Sequence, residues 1–398
     1  MNEFAPPTNS RVAARIGGIE PFRVVEVMEA AWALERAGRS VVWFCVGEPD
    51  FGTPPQVVEA AARSTSDGHV HYTGSLGLPE LREAIAGYYA SRLGVTVPAE
   101  RIAVTTGASG ALLMALGATL DPGRSIVLAD PGYPCNRSFV RLYDGAVRGV
   151  PVDAGSNYQL TAGLVEEACD DTTGGVLLAT PSNPTGTVVP PDELTGIADV
   201  VAARDGVLYV DEIYGELVYD RAPTSILSHT DDAFVVNSFS KTFGMTGWRL
   251  GWLVTPEWAV DAVRSLAQNM YISPPAPAQY GALAAFTPDV WDVVAARRQA
   301  FQERRDVLVA GLRSIGFGVP VRPEGAFYVY ADISRFDDDS AVFARRLLDD
   351  AGVAVTPGCD FGTNAAERHV RFSYTTSLEQ VHEGLERLAA HLTPKRPK

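Results

Sequence analysis

The stretch NSFSKTFGMTGWRLGW, residues 237–252, holds the side chain that points most directly to chemistry. Of the 33 lysine and arginine residues in the chain, three are lysines, and Lys241 is the only one in the first 394 positions. Arginine stays protonated, whereas a lysine can be desolvated, lose its proton and attack a carbonyl carbon. The position alone fits a structural lysine as well as a chemical one, so the neighbouring residues must decide.

Further polar residues follow apolar, strand-like runs. GASGALLMAL begins just after the run 101–106, and a helix start with free N–H groups is a natural phosphate seat, although a plain tight turn fits as well. Tyr133 follows the run 125–130, where its ring could cover a flat ligand or simply lie in a turn. Asn183 follows the run 174–180, where its amide could lie over a ligand or in an ordinary turn.

Asp211 closes the apolar run 206–212. A buried carboxylate is costly unless it is paired or hydrogen-bonded, so Asp211 needs a partner. Tyr214 lies three residues later and can reach the same pocket. Ser238 and Ser240 flank the approach to Lys241, and Arg249 follows eight residues after it.

Together these residues match one cofactor. The helix start, the two serines and Arg249 suit a phosphate, and Lys241 suits an aldehyde. Asp211 suits a pyridine nitrogen, while Asn183 and Tyr214 suit a phenolic oxygen. A ligand with all four groups is pyridoxal 5′-phosphate, whose protonated ring withdraws electrons from the Cα of a bound amino acid.

The elements that must position these residues alternate between strands and amphipathic helices. Near-continuous apolar runs at 41–46, 101–106, 125–130, 174–180, 206–212, 232–239 and 250–254 are typical of strands buried on both faces of a parallel sheet. The pattern predicts an α/β fold, with a three-layer large domain around a mostly parallel central sheet and a smaller α+β domain. We expect residues 1–45 to pack with the small domain, 46–285 to form the large domain and 286–398 the small one.

Composition narrows the classes of function. The formal charge of −15 argues against nucleic acid or an anionic membrane as the main partner. The first 20 residues lack a continuous apolar core, and no apolar run reaches about 18 residues, so neither a secretory signal nor a membrane span is expected. Four widely spaced cysteines without a CxxC pair favour a reduced, cytoplasmic protein without a metal site.

The chain resembles the class I/II, fold-type I pyridoxal-phosphate aminotransferases. The resemblance is carried by motifs in family order that span most of the chain: GEPDFGTP (47–54), YTGSLGLPELREAIA (72–86), TTGASGAL (105–112), DPGYP (130–134), PSNPTGT (181–187), VDEIYGEL (210–217), SFSKTFGMTGWRLGW (238–252) and RHVRFSY (368–374).

The resemblance implies roles for individual residues. Lys241 would be the Schiff-base lysine and proton shuttle, Asp211 would pair with the pyridine nitrogen, and Asn183 and Tyr214 would contact the phenolic oxygen. Tyr133 would stack on the cofactor ring. The residues around the phosphate would be Ala108, Ser109, Ser238, Ser240 and Arg249.

The resemblance also implies how the substrate binds. Arg371 would hold the α-carboxylate of the substrate, helped by the backbone at Gly47, with Asn183 nearby; an exposed strand arginine is the plainer interpretation of Arg371. Tyr72 would reach the phosphate in a neighbouring subunit, which implies a homodimer with shared active sites.

The expected activity is ping-pong transfer of an amino group from an L-amino acid to a 2-oxo acid. One subgroup specific for dicarboxylates has a lysine where this chain has Ser109, and the stretch 271–283 also lacks a cation. We therefore expect a neutral or aromatic donor to be favoured, unless Arg23 or Arg137 reaches the site. Two alternatives remain: a carbon–sulfur β-lyase on the same fold, and a non-catalytic regulator that binds the cofactor.

Overall fold

The computed structural model describes residues 11–392. Its strands are β1 (Val42–Trp43), β2 (Ile102–Thr105), β3 (Ser125–Asp130), β4 (Ala146–Pro151), β5 (Thr173–Ala179), β6 (Val207–Asp211), β7 (Ala233–Ser238), β8 (Gly251–Val254), β9 (Tyr328–Asp332), β10 (Val353–Ala354), β11 (Thr356–Pro357) and β12 (His369–Ser373).

The α-helices alternate with these strands along most of the chain. They are α1 (Arg23–Arg36), α2 (Pro55–Ser66), α3 (Pro79–Tyr88), α4 (Gly107–Thr119), α5 (Pro134–Leu142), α6 (Ala162–Ala168), α7 (Pro191–Ala202), α8 (Phe239–Thr242), α9 (Val260–Met270), α10 (Ala276–Leu283), α11 (Pro288–Ile315), α12 (Ser340–Arg346) and α13 (Leu378–Leu392). None of the helices between residues 11 and 392 is long and apolar enough to cross a membrane.

A central sheet of seven strands confirms the predicted fold class. Its order is β2-β8-β7-β6-β5-β3-β4, and β8 alone runs antiparallel to its neighbours. Successive residues of β3 face opposite sides: Ile126 and Leu128 enter one hydrophobic cluster and Val127 enters another. Helices α2, α3, α7 and α10 cover the Val127 side, and α4 and α9 cover the other, which gives three layers.

Three strands differ from the sequence prediction. The run 250–254 forms β8 of the central sheet, but it runs antiparallel to its neighbours. The run 41–46 was expected in the parallel sheet, but Val42 and Trp43 pair with Val353 and Ala354 in a separate two-stranded sheet. An apolar run shows that a strand is buried, but it does not show which strand pairs with it. β4 had no prediction because it is an edge strand with mostly exposed or half-buried residues.

The C-terminal part contains a three-stranded antiparallel sheet, β11-β12-β9. Its aromatic core includes Phe327 and Phe372 and continues to Phe44 from the N-terminal part. Helix α1 lies beside β10, where Val24 and Ala31 share a cluster with Leu348 and Ala354. The domain boundaries stay a prediction.

Candidate active site

A cavity of about 480 Å³ lies where β6, β7 and their neighbouring strands end at their carboxyl side. Parallel strands bring the residues that follow them to one edge of the sheet. All but two of the residues predicted for the site line this cavity: Gly47, Ala108, Ser109, Tyr133, Asn183, Asp211, Tyr214, Ser240, Lys241, Arg249 and Arg371.

Ser238 and Tyr72 do not line the cavity. The Ser238 hydroxyl caps α8, accepting a hydrogen bond from the Ser240 N–H at 3.1 Å, and it contacts the Leu250 carbonyl at 2.9 Å. Ser238 therefore holds the short helix that presents Ser240 and Lys241. The Tyr72 side chain is 79% exposed at the surface of the chain, and its contact with a neighbouring subunit stays a prediction.

Lys241 reaches into the cavity from α8, and its Nζ donates a hydrogen bond to the Gly47 carbonyl at 2.7 Å. Desolvation by the surrounding protein lowers the pKa of the Lys241 amine to about 8, with Arg371 and Arg249 acting in the same direction. The negative charge of Glu48 opposes this shift. A substantial fraction of the amine is therefore neutral near physiological pH, as a nucleophile or proton acceptor requires.

Asp211 is the last residue of β6, and its side chain is buried. Its carboxylate accepts a hydrogen bond from the Ile213 N–H at 3.1 Å. Burial raises the pKa of the Asp211 carboxyl to about 6, partly offset by that hydrogen bond and by the positive charge of Lys241. The carboxylate can therefore bind a cationic N–H group in the cavity favourably.

An anion seat lies at the start of α4. The Arg249 guanidinium lies so close to Gly107 that a Cβ there would be 2.6 Å from Arg249 Nη2. Gly107 also has a φ of +75°, which favours glycine. The Arg249 Nη1 donates to the Thr246 carbonyl at 2.9 Å, which fixes the guanidinium near Ala108 and Ser109. The helix dipole and this cation together favour a phosphate.

Arg371 on β12 is a buried cation, with 2% of its surface exposed. Its Nη1 donates to Asn183 Oδ1 at 2.9 Å, and its Nη2 donates to the Cys45 carbonyl at 2.7 Å. Its Nε has no hydrogen-bond partner, and no ion pair to Arg371 forms within residues 11–392. A buried, unpaired guanidinium facing a cavity is suited to bind a carboxylate.

Tyr328 is a cavity residue that the sequence prediction missed. Its hydroxyl lies 2.8 Å from the Tyr214 hydroxyl, and its ring lies 4.4 Å from the Arg371 guanidinium carbon. A Cβ on Gly47 would be 2.5 Å from the Tyr328 hydroxyl, so a glycine is needed there. Tyr328 lies in the segment GAFYVYADI (325–333), and nothing in the apolar pattern of that segment distinguishes this tyrosine from a core residue.

The first turns of α1 were also missed. Phe22, Val24, Val25 and Met28 line the cavity and make one wall apolar. The sequence analysis expected residues 1–45 to pack with the small domain and gave no signal for this contact, which depends on how distant parts of the chain pack together.

Cations at the cavity wall are few. Within residues 11–392, the lysines and arginines that line it are Lys241, Arg249 and Arg371. Arg23 and Arg137 are absent from the wall, and the Arg137 guanidinium donates to the carbonyls of Asp360 and Phe361. Over the same range, no group of three or more His, Cys, Asp or Glu residues could hold a metal ion.

Comparison with known proteins gives the family. The sequence model of the family described as Aminotransferase class I and II matches residues 39–388. A valine–pyruvate aminotransferase from Mycobacterium tuberculosis is 41% identical over 384 residues, which cover 96% of this chain and 98% of the relative. An aspartate/prephenate aminotransferase from Thermus thermophilus is 37% identical over 384 residues, covering 95% and 98%.

The fold agrees with a solved structure of the same kind. A crystal structure of an aminotransferase from Mycobacterium tuberculosis superposes with a TM-score of 0.93 at 40% identity, covering 96% of this chain and 99% of that one. Sequence and fold therefore agree over nearly the whole chain, and this protein belongs to the class I and II aminotransferases and is itself an aminotransferase.

Proposed function

We propose that this aminotransferase uses pyridoxal 5′-phosphate to move an amino group from a neutral or aromatic L-amino acid to a 2-oxo acid by a ping-pong mechanism. We further propose that it works as a cytoplasmic homodimer. The observation that carries the proposal is the presence of two groups in one cavity: the Lys241 amine with its lowered pKa, and the buried Arg371, which forms no ion pair with any described residue.

The cavity residues fit pyridoxal phosphate group by group. The phosphate suits the seat at Gly107 and Arg249, where a Cβ would intrude on the guanidinium. The ring nitrogen suits the buried Asp211 carboxylate. When bound, this cofactor supplies an aldehyde that condenses with an amine and a ring that withdraws electrons from the substrate Cα.

Hydrogen-bond donors in the cavity suit the phenolic oxygen of the cofactor. Asn183 Oδ1 is occupied by Arg371, so its Nδ2 is the free donor of that amide. The Tyr214 hydroxyl pairs with Tyr328 and lines the same cavity. Burial raises the pKa of Tyr214 well above its ordinary value, so this hydroxyl keeps its proton and can donate it in a hydrogen bond.

Lys241 is the amine in the cavity that would accept and donate the substrate proton. It would bind the cofactor aldehyde in the resting enzyme and, after the substrate amine takes its place, remove the proton from the substrate Cα. Its lowered pKa supports this role, because the neutral form must be available to accept a proton. Arg371 would hold the substrate carboxylate, which fixes the Cα within reach of Nζ.

The apolar residues that line the cavity support a neutral donor. Phe22, Val25, Met28 and Phe139 line the cavity, and no cation beyond the three already named does so within the described part of the chain. A second substrate carboxylate would therefore be buried beside apolar side chains without a partner. The relative named for valine and pyruvate is consistent with this donor class.

A panel of amino donors tests the proposal. The cofactor-loaded enzyme is mixed with alanine, valine, leucine, phenylalanine, aspartate or glutamate without a 2-oxo acid, and the cofactor absorbance is followed. We expect the best neutral donor to exceed aspartate in kcat/KM by about tenfold or more, the cost of one buried unpaired charge being at least that large. A higher kcat/KM for aspartate would refute the donor class, and pyruvate release from cystathionine without an added 2-oxo acid would favour the β-lyase alternative.

The homodimer has a separate test. The exposed Tyr72 side chain supports a contact beyond the single chain. Light scattering should give twice the 42.6 kDa mass of one chain. A monomeric mass in a fully active sample would refute shared active sites.

A further inference from the structure

Helix α1 receives its N-terminal cap from a residue at the other end of the chain. Asp360 Oδ1 accepts a hydrogen bond from the Arg23 N–H at 2.9 Å, and Asp360 Oδ2 accepts one from the Val24 N–H at 3.1 Å. Phe22, which precedes the helix, supplies no side-chain cap. Asp360 is 5% exposed, and its hydrogen bond to Val24 is buried while that to Arg23 is partly buried. The start of α1 is therefore tied to residue 360.

The start of α1, which Asp360 holds by these hydrogen bonds, also forms part of the cavity wall. Phe22, Val24, Val25 and Met28 line the cavity, and the Phe22 ring meets the Tyr133 ring edge-on with centroids 6.4 Å apart. Because Phe22 directly precedes α1 and the other three residues lie in its first two turns, a shift of the helix start would move the apolar wall.

The turn that contains Asp360 also supports Arg371. The Phe361 ring lies 4.9 Å from the Arg371 guanidinium carbon. Arg137 fixes this turn by donating from Nη1 to the Phe361 carbonyl at 2.8 Å and from Nη2 to the Asp360 carbonyl at 3.0 Å. One turn thus contacts both the apolar wall and the cation proposed to bind the substrate carboxylate.

We propose that Asp360 is a positioning residue that holds the start of α1 at a fixed place relative to Arg371, so that the apolar wall meets the substrate side chain while Arg371 holds its carboxylate. The inference rests on the proposed function, since it assumes an amino acid with an apolar side chain in the cavity. Asp360 itself does not line the cavity, and its two hydrogen bonds to the start of α1 are the contacts through which it would act on the apolar wall.

The chain offers a matched control for this cap. Asp339 also caps a helix with two hydrogen bonds: its Oδ1 accepts from the Ala341 N–H at 2.9 Å and the Val342 N–H at 3.1 Å at the start of α12, which does not line the cavity. Asp360→Ala and Asp339→Ala each remove a cap. Asp360→Asn keeps one acceptor oxygen and should give an intermediate effect; it also carries the test if the alanine variant does not fold.

The first measurement is amide hydrogen exchange of the cofactor-loaded enzyme. In Asp360→Ala, peptides covering residues 22–28 should exchange about fivefold faster than in the wild type, the typical consequence of losing a helix cap. In Asp339→Ala, faster exchange should be confined to the start of α12. Unchanged exchange at residues 22–28 in Asp360→Ala would overturn the proposal.

The second measurement is the ratio of kcat/KM for leucine to kcat/KM for alanine. With the carboxylate held by Arg371, a leucine side chain would extend to the apolar wall and the methyl group of alanine would not, so the ratio should fall about fivefold in Asp360→Ala, less in Asp360→Asn, and not in Asp339→Ala. Equal losses on both donors, or an unchanged ratio, would overturn the proposal. If the wild type transaminated neither donor, the proposed function would fail, while the exchange measurement would still decide whether Asp360 holds α1.

Discussion

Arg371 Nη1 donates a hydrogen bond to Asn183 Oδ1 across 2.9 Å. This contact joins the residue proposed to bind the substrate carboxylate to the residue proposed to contact the cofactor. It fixes the orientation of the Asn183 amide, because the occupied oxygen leaves Nδ2 as its donor. This hydrogen bond therefore links the proposed substrate and cofactor sites. A substitution at Arg371 should weaken substrate binding more than cofactor binding.

Arg371→Lys should weaken donor binding by about 10- to 100-fold, because lysine cannot form the two-pronged contact that a guanidinium offers a carboxylate. Cofactor loading, followed by visible absorbance, should stay near wild type. The control is Arg345→Lys, which alters an exposed ion pair with Asp349. Unchanged donor KM in Arg371→Lys would rule out its proposed role.

Gly107→Ala should weaken pyridoxal phosphate binding by about tenfold or more, because the added Cβ would be 2.6 Å from the Arg249 guanidinium. Gly123→Ala is the control: Gly123 has a φ of +82°, close to the +75° of Gly107, but no atom of residues 11–392 lies within 4 Å of the place that an added methyl group would occupy. Both substitutions carry backbone strain of about 1–2 kcal/mol. Equilibrium dialysis should show weaker binding in Gly107→Ala alone; equal Kd values would place the phosphate elsewhere.

Tyr328→Phe removes the hydrogen bond to the Tyr214 hydroxyl and should lower kcat/KM about fivefold, which corresponds to about 1 kcal/mol. Tyr330→Phe, on the same strand, is the control, because the Tyr330 hydroxyl is buried without a hydrogen-bond partner among the described residues. That variant should match the wild type. Steady-state kinetics with one neutral donor compares the two, and equal effects would argue against a role for the hydroxyl pair.

Asp211→Asn should stabilise the cofactor-free protein at pH 7.5. Burial raises the pKa of the Asp211 carboxyl from 3.8 to about 6, so the unfolded chain ionises first as the pH rises. The ionised, buried Asp211 carboxylate therefore lowers the free energy of unfolding. This loss of stability is absent below pH 3.8, grows between pH 3.8 and about 6, and reaches about 3 kcal/mol at higher pH.

Urea denaturation of the two cofactor-free proteins at pH 3.5 and pH 7.5 measures the difference in unfolding free energy. The advantage of Asp211→Asn should be seen at pH 7.5 and vanish at pH 3.5. A difference that does not change with pH would contradict the assigned ionisation.

Much of the site could be predicted because it follows strand ends. Asp211 closes β6 and Ser240 and Lys241 follow β7, and parallel strands bring their carboxyl ends to one edge. The residue types then narrowed the range of possible ligands, because an isolated lysine among arginines and a buried aspartate each indicate a specific chemical group in the ligand. The class I and II aminotransferase family and the mostly parallel sheet are both confirmed.

What could not be predicted depends on contacts between distant parts of the chain. Asp360 caps α1 across 337 residues, and no local pattern encodes that pairing. The run at β1 has the apolar composition of a central strand, yet it pairs with β10 outside the main sheet. Tyr328 is one aromatic residue among several in its strand, and its proximity to Tyr214 arises only when the chain folds.

The proposed chemistry depends above all on Lys241 as the amine that binds the cofactor and moves the substrate proton. Borohydride reduction of the cofactor-loaded enzyme, followed by peptide mass mapping, compares Lys241 with the other lysines, Lys395 and Lys398. We predict a cofactor adduct on the peptide that contains Lys241, no such adduct in Lys241→Arg, and a loss of transamination in that variant of at least about 100-fold. An adduct at another residue, or wild-type turnover by Lys241→Arg, would show that Lys241 does not have this role.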